Sequence, residues 1–174
     1  AIDSSVERWD VVVMVGWSPE SLIPGRYLIF GSSSGLPELI TFGEAEKAFV
    51  RSARDEHPVF RFVTLDDLFI WKMPKVQPSS DVSILAESTE GPAIIEINRR
   101  GVDVLWVAFD PLDSTWWHQR GFANFIPNAL DHLATSGGLR TDKGLVPGEV
   151  VSLLVPAGST EARIILPDET ASTP

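Results

Sequence analysis

Residues 102–109, VDVLWVAF, form an almost unbroken apolar run weighted towards β-branched and aromatic side chains. A strand that is apolar on both faces must be covered on both, as a central strand of a largely parallel sheet is. Asp110-Pro111 marks its end, and the loop beyond carries Asp113, Ser114, Trp116 and Trp117. Phe122, Phe125, Ile126, Ala129, Leu130 and Leu133 follow at offsets 0, 3, 4, 7, 8 and 11, which sets all six on one face of a helix. Strand, polar loop and covering helix are the repeating unit of an open α/β sheet, whose ligands bind at the carboxyl ends of the strands.

Two further apolar runs predict neighbouring strands. Residues 9–16, WDVVVMVG, and 26–31, RYLIFG, both read as buried parallel strands, the second ending in Ser32-Ser33-Ser34-Gly35. The link between them is too short for a full crossover helix, so either it holds one helical turn with the two strands apart in the sheet, or the strands are not adjacent. Residues 44–54 combine helix propensity with a pattern that also fits a short edge strand. Thr64-Leu65-Asp66-Asp67 resembles a helix start and predicts a short helix over 65–72, followed by a surface loop over 73–80. Residues 82–87 and 93–98 read as strands, and the turn 98–101 predicts a hairpin into the central run. Pro127 is expected to start or kink the last helix.

The chain divides by pattern into an α/β domain over 1–138 and a short β-rich extension over 139–174, where VPGEVVSLLVPAG alternates and turns often. The opening residues, already entering a strand, suggest a piece cut from a longer chain whose first strands lie upstream. Lys+Arg 14 against Asp+Glu 24 gives a net charge of −10, which disfavours nucleic acid or an anionic membrane as partner, since both need clustered cations. With no cysteine, thiol catalysis, thiolate metal sites and disulfides are excluded.

Several short pieces in order, HPVFRFVTLDDLFI, ILAESTEGPAII, VLWVAFDPLDSTWW and NFIPNALDHLA, resemble the class I glutamine amidotransferase-like region of large bacterial membrane-anchored proteins. Those proteins also carry an aerotolerance-regulator (Bat-type) region and a von Willebrand factor A domain. The resemblance implies a three-layer, flavodoxin-like α/β fold with a mostly parallel sheet, a β-hairpin and a small C-terminal β extension. It implies a soluble, extracytoplasmic domain tied to the membrane only through anchors elsewhere in the parent chain. Active members need a cysteine on a strand-to-helix elbow and a later His-x-Glu. Here YLIFGSSSG sits at the elbow position with Gly31 or Ser32 near the nucleophile, and Asp110 and Leu112 stand in for the His and the Glu. Aspartate is not a near-neutral base without a strongly raised pKa, and leucine orients nothing.

The expected role is therefore a non-catalytic scaffold or interaction module without cofactor, whose partners are other domains of the parent protein or envelope proteins. Pairing of open sheet edges between two copies is a further expectation. Asp110, Asp113 and Ser114 form the best polar cluster, as a hydroxyl-ligand or cation site or simply as backbone caps; two carboxylates are too few for a metal. Trp116 and Trp117, with Trp17, offer an aromatic platform for a sugar or a protein, or a roof over the core. Ser32 with His118 is the one arrangement that would make a degenerate serine hydrolase, although no G-x-S-x-G surrounds it. His57, before Pro58, reads as a turn residue, His132 as polar helix surface and Glu96 as one of several scattered surface acids.

Overall fold

The computed structural model describes residues 9–99 and 101–135, and the backbone of Ile164–Ile165 and Ala171–Ser172. In chain order come β1 (Val12–Val15), β2 (Gly25–Phe30), β3 (Leu39–Ala53), β4 (Phe69–Pro78), β5 (Ser83–Ser88), β6 (Gly91–Arg99), β7 (Val102–Val107) and α1 (Arg120–Thr135), then the small antiparallel pair β8 (Ile164–Ile165) and β9 (Ala171–Ser172). The first seven strands build one sheet in the order β1-β2-β7-β6-β5-β3-β4. β1, β2 and β7 are parallel; every later pairing in that order is antiparallel.

This overturns the flavodoxin-like expectation. The sheet is mixed and curls into a half-barrel, and among the described residues one α-helix, not two helical layers, covers it. The difference arises at residues 39–78. The stretch with helix propensity lies in a fifteen-residue strand, the expected helix over 65–72 is a turn followed by β4, and the expected surface loop belongs to that strand. Pairing decides these residues: β3 and β4 bury Leu39, Ala45, Ala48, Ile70, Met73 and Val76. Glu44 and Lys72 meet at 3.0 Å outside. Local propensity is small beside that burial.

β1 and β2 are direct neighbours, although residues 16–24 between them hold no helix. β2 and β7 are buried throughout their centres, as their composition predicts. β1 is not: it is an edge strand with Val13 and Val15 about half exposed. The hairpins β5–β6 and β6–β7 form where the turn residues place them. α1 buries Gly121, Phe125, Ala129, His132 and Leu133, with Phe122, Ile126 and Leu130 packed at the margin of the core. Pro127 lies inside the helix and brings no N–H to its interior. Gly121 is required, because a Cβ there would stand 2.7 Å from the Thr64 carbonyl. Apart from the short β8–β9 pair, the expected extension lies outside the described residues.

Candidate functional site

The parallel strands do bring their end loops together. Gly16 and Gly31, both at positive φ, end β1 and β2, and Cβ atoms there would lie 3.6 Å from Asp110 Oδ2 and 3.1 Å from Asp110 N. The polar groups gathered there serve the backbone. Asp110 caps a 3₁₀ turn, Pro111–Asp113, by accepting the Leu112 N–H at 2.9 Å. Ser114 is fully buried, donates to the Pro111 carbonyl at 2.8 Å and accepts the Trp116 N–H at 3.1 Å. Asp113 closes the same turn. Ser32 Oγ pairs with Ser18 Oγ at 2.8 Å, while Ser18 also donates to the Ser34 carbonyl. The Ser32 carbonyl accepts the Trp106 indole N–H at 2.8 Å.

The tryptophans separate. Trp116 is wholly buried between Phe109, Phe122 and Phe125, so it roofs the core, and its indole N–H has no partner among the described residues. Trp117 is half exposed, with the His118 ring 3.7 Å from its own; Trp17 is also open to solvent. The expected platform thus loses its central member to the core. His118 is engaged by Trp117, and the hydroxyl of Ser32 by a second serine.

A different set of side chains converges on the helix-covered face of the sheet. Glu96 points from β6 towards α1, where His132 Nε2 lies 2.5 Å from its Oε1. His57 comes from the loop after β3, caps the 3₁₀ turn Pro58–Phe60, and sets its Nε2 3.7 Å from Glu96 Oε2. The two imidazoles meet edge to face with centroids 4.8 Å apart. Asn128 of α1 donates to the carbonyls of Val59 and Arg61, which ties the His57 loop to the helix. Burial alone would push the Glu96 carboxyl up, but the hydrogen bonds and charges of His132 and His57 outweigh it and hold the group at about 2. On the adjacent strand, burial pushes the Asp103 carboxyl up, Arg26 works against it, and the neighbouring Glu96 adds to it.

The sequence pattern placed His132 and Glu96 at the surface, and the structure corrects both; His57 lies in a turn as expected, but its ring is drawn in beside Glu96. His132 is 6% exposed, and its spacing from Phe125 and Ala129 already lay on the helix's buried face. Glu96 interrupts the apolar run AIIEI, where a charge needs a partner. Nothing local marks His57, since only the fold brings its loop to the helix.

No protein-family model and no curated protein matches the chain. Among solved structures it is similar to cytoplasmic protein STM3548 from Salmonella typhimurium, with a TM-score of 0.56, 14% identity and 75% of each chain covered. A second cytoplasmic protein of that organism, STM1381, gives a TM-score of 0.48 at 16% identity, over 63% of this chain and 55% of that one. A β-galactosidase from Rahnella sp. R3 gives 0.53 at 12% identity, over 75% of this chain but 24% of the enzyme's. The membrane-anchored, extracytoplasmic setting expected from the sequence is not upheld: the neighbour STM3548 bears the name cytoplasmic, and no described helix is long and apolar enough to cross a membrane. At these identities the likeness to STM3548 and to the β-galactosidase is one of fold alone.

Proposed function

We propose that this chain is a non-catalytic interaction module that pairs with a second copy of itself along β1. One observation carries the reading: the two edges of the sheet are built differently. β4 presents Lys72, Pro74, Lys75 and Pro78 along its length, residues that oppose strand addition by charge and by missing N–H groups. β1 is VVMV with neither, its Val13 and Val15 exposed and Trp9 and Trp17 open at its two ends. An antiparallel β1–β1 contact about a two-fold axis satisfies the free backbone groups and covers those side chains on both copies at once. The non-catalytic half rests on the strand-end loops, where the Ser32 hydroxyl is bonded to Ser18 and the Asp110 carboxylate to backbone.

Light scattering across a concentration series tests it. The wild-type chain runs as a dimer, and Val13→Lys with Val15→Lys runs as a monomer with an unchanged circular dichroism spectrum. A wild-type monomer at every concentration overturns the reading.

A further inference from the structure

We propose that His57, Glu96 and His132 bind a first-row divalent transition metal such as Zn²⁺. The inference is independent of the edge contact. The three side chains come from a loop, a strand and a helix far apart in sequence, and one donor atom from each lies within 4.8 Å of the other two. Two imidazole nitrogens and a carboxylate are a donor set that Zn²⁺ and Fe²⁺ take with coordination positions left for water or a ligand. The side chains of His57 and Glu96 keep 17% and 15% of their surface open, so solvent reaches the cluster while His132 anchors it from the core.

The distances are those of a site closed on itself. Metal bonds of about 2.0–2.2 Å in a tetrahedron separate donor atoms by roughly 3.3 Å. Glu96 and His132 at 2.5 Å must open, His57, now 3.7 Å from the carboxylate, must close, and donor atoms as far as 4.8 Å apart must draw together by up to about 1.5 Å. Side-chain rotation supplies these movements, and His57 sits on a loop. The ring must also carry its proton on Nδ1 to free Nε2 for the metal. That forfeits the contact from the Val59 N–H, which at 3.5 Å is at the outer limit of a hydrogen bond. Metal and acid–imidazole bonding therefore compete for the same atoms, and the metal gains because it replaces two single contacts by three bonds to one charge.

Titration of the tag-free full chain with Co²⁺, followed by Zn²⁺ displacement, tests the site. The expected result is visible d–d absorption that saturates at one equivalent and disappears with Zn²⁺. His57→Gln and Glu96→Gln each weaken binding at least about tenfold, as loss of a ligand should. His118→Gln, at the chain's third histidine, leaves it unchanged. Nitrogen-15 spectra of the wild-type imidazoles probe the same site without variants: His57 and His132 shift on adding Zn²⁺ and His118 does not. No stoichiometric binding, binding that survives both substitutions, or shifts confined to His118 would each overturn the assignment.

Discussion

The strand-end loops and the helix-covered face hold similar polar side chains and use them in opposite ways. In the loops, Asp110 and Ser114 bond to backbone within three residues of themselves, and so finish turns. On the helix-covered face, His57, Glu96 and His132 bond to one another across 36 and more positions of sequence. A carboxylate spent on its own turn has its acceptor sites filled by geometry that the turn requires. A carboxylate on a strand has no such local donor, so its partners must come from other elements. Those partners here are the two side chains most able to exchange a proton for a metal. Nearness in sequence therefore marks a folding role, and convergence from afar marks a functional candidate.

The largest expected effect tests the loops' structural role. Trp116→Ala should cost about 3–5 kcal/mol, because a fully buried indole leaves a cavity. Its exposed neighbour Trp117→Ala should stay within about 0.5 kcal/mol. Similar losses in urea unfolding would mean that the loop is not divided as described.

Next in size is Glu96→Ala, expected to cost about 1–3 kcal/mol by stranding the two imidazoles that face it. Its pH dependence has a definite sign. The folded carboxyl is held at about 2, below its ordinary 4.5, so its contribution is complete above the ordinary value and is lost as pH falls towards 2. The stability gap between the metal-free wild-type chain and Glu96→Gln should therefore shrink from about pH 5 to about pH 3. A gap that stays constant over that window would show that the imidazoles do not hold the acid.

Smaller losses should follow from the caps. Ser114→Ala removes two bonds from a buried hydroxyl, and Asp110→Ala removes one cap; each should cost about 1 kcal/mol. Ser32→Ala should fall within about 0.5 kcal/mol, since Ser18 keeps its bond to the Ser34 carbonyl. A Ser32→Ala loss larger than that of Ser114→Ala would reverse the ranking of the two serines.

Some parts of the molecule were legible from the chain alone, because no partner could alter their pattern. Residues 102–107 and 26–30 are apolar on both faces and became the central parallel pair, and the offsets from Phe122 to Leu133 became α1. The turns before β6 and β7 likewise follow from their glycines. Residues 39–78 were settled only in three dimensions, where modest helix propensity yields to a long antiparallel pairing. With them went the change from a layered α/β sheet to a curled half-barrel. The candidate site also waited on the fold. Glu96 and His132 each break an apolar pattern that the sequence displays, but His57 joins them because Asn128 holds its loop against the helix. A pattern reports which face of an element is buried; which elements share that face is set by how the chain closes on itself.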